Sequence, residues 1–410
     1  MIAALHAKRA TGTWGTNAAV VTHGTIALRN LEAQIEGLEP NSTPGLPRVE
    51  ERVWLIDLLA LRGSILGSIA DYERALELAH LLVRDATTEA AAFLARARTR
   101  AVFHRFSEAL DDLDVAERLA ADTESVDRER AAVFQGLGRY EEARAIREED
   151  ARRGPSFESL GALTTLCAER GDTERAERLH AESLRRYRGV SPLPLAALEF
   201  QLGAMWMHEG QLDRAQDHLI AARRYVPAYA PAQGHFAEVE AELGKFDLAI
   251  ALLDPLAATS DDPDYAAQLA RIYADAGYPD DSRYWRNRAA ARYDELIAVY
   301  PEAFADHAAE FWLGVGGDPI KAFRLATLNF EVRRTPRARE LLHQAVLATN
   351  SREQDFYPCP STATRGSNSM TTAVIESERT AMSQNMTHQP DGPGPVSGPR
   401  AELKGRAPAQ

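Results

Sequence analysis

Residues able to do chemistry are few in this chain and weakly grouped. In His307-Ala308-Ala309-Glu310 two metal-ligand types stand at i and i+3, on one face of a helix. A cation would need further ligands at the same height, and only His208 and Glu238 offer themselves. Exposed polar groups on a helix are the plainer reading, so no metal is expected. Gly314-Val315-Gly316-Gly317 is glycine-rich but lacks the following Lys-Ser/Thr of a phosphate loop, and reads as a turn. Neither a Gly-x-Ser-x-Gly elbow nor a His-Glu-x-x-His motif occurs. Cys167 and Cys359 are the only cysteines, too far apart and too isolated for a disulfide framework or a zinc site. No catalytic residue and no cofactor is expected, and the chain reads as a non-enzyme.

Composition narrows the class of the elements that must carry these residues. The 410 residues hold 45% hydrophobic, 26% charged and 7% aromatic side chains, which suits a mostly helical chain of two or three domains or one long repeat array. A net charge of −13 argues against nucleic acid as a partner, because phosphate contacts need clustered Lys and Arg. Lys8 and Arg9 are followed by a stretch too polar for a signal sequence, and no run of apolar residues is long enough to span a bilayer. A cytoplasmic protein without membrane contact is expected, and the Ala- and Arg-rich, Lys-poor composition points to a GC-rich bacterial genome.

The organising feature is a repeat. Gly-x-(Tyr/Phe/Leu)-x-x-Ala stands out in Gly138–Ala143, Gly210–Ala215 and Gly244–Ala249, with weaker copies ending at Ala75, Ala109, Ala176, Ser282 and Ala322. Successive anchors lie 34, 34, 33, 39, 34, 33 and 40 residues apart. Twelve positions before each stands another small residue: Gly63, Ala97, Ala131, Thr164, Gly203, Ala237 and Ala270, with Glu310 the one exception. Each unit reads as two amphipathic helices joined at a glycine that takes positive φ. Small residues let the pair approach, and stacked units bury the face that one hairpin leaves open. Pro155, Pro227 and Pro301 separate units. Of the two long intervals, Gly189–Pro194 reads as a loop and Asp281–Tyr300 as an extended second helix.

This pattern resembles the tetratricopeptide repeat family, over residues 48–349. The resemblance implies an all-α solenoid of about eight helix-turn-helix repeats in a right-handed superhelix, whose first helices line a concave ligand face. Thr173, Pro279 and Pro319 replace the family's turn aromatic, so looser units are expected there. Cys167 matches the seam positions of Phe134, Trp206 and Tyr273 and reads as a buried thiol. Arg62, Arg96 and Arg130 form a ladder where the family packs leucine, as at Leu163, Leu202 and Leu269. Unpaired guanidinium groups would be too costly there, so pairing is expected, with Asp111, Asp112 and Glu142 available.

Carried onto this chain, the inner-face places are Arg98, Arg128, Glu169, Phe200, Met207 and His208, then Glu238, Glu242, Asp264, Arg271, Asp275, His307 and Phe311. Read in order they run from basic to mostly acidic. The resemblance implies a non-catalytic scaffold holding a protein or peptide partner in the groove. The alternative is a sensor or regulatory module with a ligand pocket at His208, Arg271 and His307. A carboxylate clamp of the chaperone-binding kind is not expected, because Ser64, Gly67 and Ser68 occupy its first-repeat positions. Outside the array, residues 1–47 are expected to be partly helical, over 25–37, and Pro336–Ala348 to cap the last repeat. Residues 350–410, rich in Ser, Thr, Pro and Gly, are expected to be disordered.

Overall fold

A computed structural model describes residues 21–39 and 48–356 of the chain. The expectations for the first twenty residues, for 40–47 and for the tail beyond 356 lie outside the described residues. Among those described there are eighteen helices and no strand. A lone α1 (Gly24–Leu38) precedes eight pairs. The first four are α2/α3 (Val49–Leu66, Ile69–Asp85), α4/α5 (Ala90–Val102, Phe106–Arg118), α6/α7 (Thr123–Gly136, Tyr140–Arg153) and α8/α9 (Phe157–Glu169, Thr173–Arg186). The next four are α10/α11 (Leu193–His208, Leu212–Tyr225), α12/α13 (Ala230–Glu242, Phe246–Thr259), α14/α15 (Pro263–Asp275, Pro279–Val299) and α16/α17 (Pro301–Leu313, Pro319–Val332). A final helix, α18, spans Pro336–Phe356. No helix among the described residues is long and apolar enough to cross a membrane.

Each pair forms for the reason its spacing gives. Seven of the eight turns carry a glycine at positive φ, from Gly67 at 63° to Gly277 at 83°. In the second repeat His104 holds that place at φ 54°. The small anchors of both helices are buried in every repeat except at Glu310, which is half-exposed. Glu310 instead pairs with Arg337 of α18, its carboxylate within 3.0 Å of the guanidinium.

Thr173, Pro279 and Pro319 become the first residues of α9, α15 and α17. A proline is well placed there, since its fixed φ suits the helix and its missing N–H has no intrahelical partner. Asp172 and Asp318 cap α9 and α17 by accepting from the Arg175 and Lys321 backbone N–H groups. The first long interval holds a shorter loop than expected, because α10 already begins at Leu193 with Pro194 in its first turn. The second is the 21-residue α15.

One feature of the solenoid is absent from the repeat pattern. Its turn is so tight that the hairpin tips of the first three repeats dock on connections between later ones. Ser260 Oγ donates to the Gly67 carbonyl oxygen at 2.6 Å. Phe103 stacks on Tyr300 with centroids 4.4 Å apart, and the Arg334 backbone N–H donates to the Leu137 carbonyl oxygen at 3.2 Å. Bonds across this seam join residues such as Ala70 and Asp261, Gly67 and Ser260, and His104 and Glu302, which lie 191, 193 and 198 positions apart, so one superhelical turn takes between five and six repeats. The helix α1 joins the same seam: a Cβ on Gly24 would strike the backbone at Tyr225 and Val226.

Candidate functional site

The expected inner-face residues all lie on the first helices of their pairs, and six of the thirteen pair with one another. Arg98 on α4 forks onto Asp57 of α2, with N–O distances of 2.8 to 3.0 Å, and reaches Glu129 of α6 at 3.4 Å. Arg128 pairs with Glu124 and lies 3.5 Å from Asp150. Arg271 gathers Glu238 at 2.8 Å, Glu242 at 3.3 Å and Asp275 at 3.9 Å. The linear trend from basic to acidic is thus largely neutralised by ion pairs, some within one helix or repeat and some, as at Arg98 and between Arg271 and Glu238, across stacked repeats.

Other expected residues differ in role. Phe200 stands edge-on to Tyr229 and His235, with centroids 5.6 and 5.1 Å away. Met207 is half-buried against the core, and His208 is exposed. Phe311, placed on the inner face by the family resemblance, is only 5% exposed. It fills the seam against Tyr293 and Trp312 rather than presenting itself to a ligand. His307 Nδ1 lies 3.6 Å from Asp264 Oδ1. The neighbouring Asp306 charge, with the contact to Asp264, raises the imidazole to about 10. With Glu238 held by Arg271 and Glu310 by Arg337, these groups are engaged in ion pairs instead of a common ligand set.

The arginine ladder is paired, as burial requires. Arg62 forks onto Asp71 at 2.6 and 2.8 Å, and Arg96 onto Asp112 at 2.6 and 2.9 Å. Arg130 turns to Asp114 and Glu117 of the preceding repeat, at 3.0 and 2.9 Å. Asp112 was among the acids available by spacing; Asp71, Asp114 and Glu117 were not singled out. Cys167 is buried, and burial pushes its thiol up, away from the reactive thiolate.

A cavity of about 820 Å³ lies across the first four repeats. Its charged lining is Asp57, Arg98, Glu129, Arg147, Glu169 and Arg333, with Thr99, His104 and Gln135 beside them. Only Arg98 and Glu169 came from the inner-face pattern. Glu169 accepts from Gln135 Nε2 at 2.6 Å, and burial raises its carboxyl above the usual range. Arg333 arrives from across the seam, bonded to Asp306 at 3.0 Å and to the Gly136 carbonyl oxygen at 3.2 Å.

Arg147 is the unusual member. It stands four residues after Ala143, where other repeats bury Leu113, Leu219 and Leu253. Its guanidinium donates to the Ala162 carbonyl oxygen and makes no ion pair among the described residues. Burial lowers its pKa, and Glu169 is close enough to be felt but not bonded. Arg147 also lines a second cavity of about 380 Å³, shared with Arg128 and Asp150. Arginine at a position that holds leucine in three repeats and alanine in two, with Arg286 the other arginine, is the sequence signal that points to it.

Residues 207–272, from the end of α10 into α14, match the family described as tetratricopeptide repeat. Among solved structures, the APC/C hetero-tetramer Cut9-Hcn1 is similar at 14% identity and a TM-score of 0.48, over 80% of this chain. This chain spans only 60% of that one. The human IFIT1 dimer with m7Gppp-AAAA is similar at 15% identity and a TM-score of 0.49, over 78% of this chain and 77% of its own. TTC0263 of Thermus thermophilus, a thermophilic TPR protein, is 25% identical over 46% of this chain and 97% of its own, with a TM-score of 0.35. No curated protein shows significant similarity to the chain.

Proposed function

We propose that this chain, which belongs to the tetratricopeptide repeat family, is a non-catalytic scaffold that holds an extended segment of a partner protein against its inner wall, at the cavity of the first four repeats. Repeats of this family serve protein–protein interaction in general. The observation that carries the finer reading is Arg147. A half-buried guanidinium satisfied only by a carbonyl, beside a cavity of about 820 Å³, is a receptor for a carboxylate. Arg98 and Arg333 flank it but already hold acids of their own. An acidic side chain of the partner would pair with Arg147, and its backbone would find Gln135 and Glu169. The net charge of −13 supports a polypeptide over a nucleic acid as the bound partner.

The test is capture from the source cell's lysate by the full chain, compared with Arg147→Gln. A partner held by the first and lost by the second supports the reading. Partners common to both would move binding to the convex face or the repeat edges. The cavity also falls within the range of about 300–1,000 Å³ typical of small-ligand sites. Capture of nothing by either chain, with thermal stabilisation by small dicarboxylates, would favour the sensor reading.

A further inference from the structure

Away from the inner wall, His180 of α9, Glu199 of α10 and His218 of α11 meet between the fourth and fifth repeats. His218 Nδ1 lies 2.7 Å from Glu199 Oε2, and His180 Nε2 lies 3.3 Å from Glu199 Oε1. The rings stand at 81°, with centroids 5.4 Å apart. One ligand atom from each residue falls within 4.8 Å of the other two.

The three side chains occupy expensive ground. Glu199 is 2% and His180 6% exposed. His180 stands four residues after its anchor, where Leu113, Leu219 and Leu253 are buried; Glu199 stands four before its own, where Leu59, Phe93 and Leu160 are buried. Replacing hydrocarbon by a carboxylate and an imidazole at two packed positions needs compensation. Hydrogen bonding supplies only part of it, because His180 Nε2 is buried with no hydrogen-bond partner.

An unsatisfied imidazole nitrogen facing a carboxylate oxygen at 3.3 Å suggests what the cluster lacks. Zn–N and Zn–O bonds of about 2.0–2.1 Å in a tetrahedron set ligand atoms about 3.3 Å apart. Two nitrogens and one carboxylate suit a first-row transition cation and not the all-oxygen shells of calcium or magnesium. We infer that His180, Glu199 and His218 form a site for a zinc-type divalent cation, bound through two imidazole nitrogens and one carboxylate with water in the fourth position. Its ligands come from three consecutive helices, so the ion braces the fourth repeat against the fifth. The side chain of His218, 14% exposed, gives access from solvent.

The test uses the full chain with any affinity tag removed. Titration with Co²⁺ is expected to give the intense visible absorption of four-coordinate cobalt, saturating at one ion per chain and bleached by Zn²⁺. Zn²⁺ should also raise the melting temperature, since it binds only the folded site. His180→Leu restores the residue type that other repeats use and is expected to fold, while losing both responses. His218→Ala gives the same readout at the more exposed ligand, should His180→Leu fail to fold. Only the weak absorption of six-coordinate cobalt from the unaltered chain would overturn the inference, as would equal affinity in either variant.

Discussion

Asp261 caps a helix that begins 192 residues before it. Its Oδ1 accepts the backbone N–H of Ile69 at 2.7 Å, and its Oδ2 that of Ala70 at 2.8 Å. These are the first two residues of α3, whose amide groups have no partner within the helix. A carboxylate there is also favoured by the helix dipole. Asp261→Ala is expected to lower stability by about 1–2 kcal/mol in urea denaturation, as loss of a helix cap does. Asp261→Asn should recover part of that, its single oxygen serving one amide. An unchanged midpoint for Asp261→Ala would mean that the superhelical seam is open in solution.

Two turn glycines separate backbone preference from seam contact. Gly138 and Gly210 have φ of 81° and 67°, so alanine at either carries a left-handed penalty of about 1–2 kcal/mol. A Cβ on Gly210 meets nothing within 4 Å, whereas one on Gly138 lies 2.6 Å from the Arg334 carbonyl oxygen. Gly138→Ala should therefore cost clearly more than Gly210→Ala, and proteolysis should show the third repeat released from α18. Equal losses would remove the seam as a contributor.

His104 and His307 set opposite pH limits. Burial, then the Arg333 charge, holds His104 down at about 4. An unfolded histidine takes up a proton near 6.5 that the folded one refuses, so its contribution is lost as pH falls from 6.5 to 4. For His307, raised to about 10, the folded state keeps the proton longer. That contribution is complete below 6.5 and is lost as pH rises through 10. Melting temperatures across this range should flatten on the alkaline limb for His307→Gln. They should flatten on the acid limb for His104→Asn, a residue that tolerates the positive φ of 54°. Unaltered limbs in both variants would refute the assignment.

Asp112 is 2% exposed and binds two guanidinium groups, Arg96 through both oxygens and Arg100 at 2.6 Å. Asp112→Ala leaves the largely buried Arg96 without an acid and Arg100 with Glu108 alone, and a loss of about 3–5 kcal/mol is expected in chemical denaturation. Glu124→Ala, at the exposed Arg128 pair, should fall within about 0.5 kcal/mol of the unaltered chain. Similar losses for the two would show that Asp112 is solvated.

The helix pairs could be read from the sequence because the repeat is a local property. Gly138 and Ala143 declare their turn and seam within six residues, and eight copies average out the exceptions. The seam could not be read, because contacts such as Phe103 with Tyr300 depend on the summed rotation of many repeats. The same limit applied to the wall: spacing places Arg271 and Glu238 on one face, but whether they pair depends on the offset between α12 and α14. Single residues that break the pattern were the neglected signal. His104 at a glycine place, and Arg147 and His180 at a leucine place, each mark where the structure does something besides stacking.

Arg147 tests whether that signal means function. Stability alone would favour leucine at this position, as in the second, fifth and sixth repeats, where the equivalent side chain is fully buried. Replacing a buried, poorly paired cation by hydrocarbon of suitable size is commonly neutral or stabilising by about 1–4 kcal/mol. Arg147→Leu is thus expected to raise the urea midpoint while abolishing capture of the partner that the unaltered chain retains. Opposite signs in the two measurements are what a residue kept for binding at the expense of packing produces. A variant that loses stability and partner together would show instead that Arg147, through the Ala162 carbonyl, holds the third repeat on the fourth.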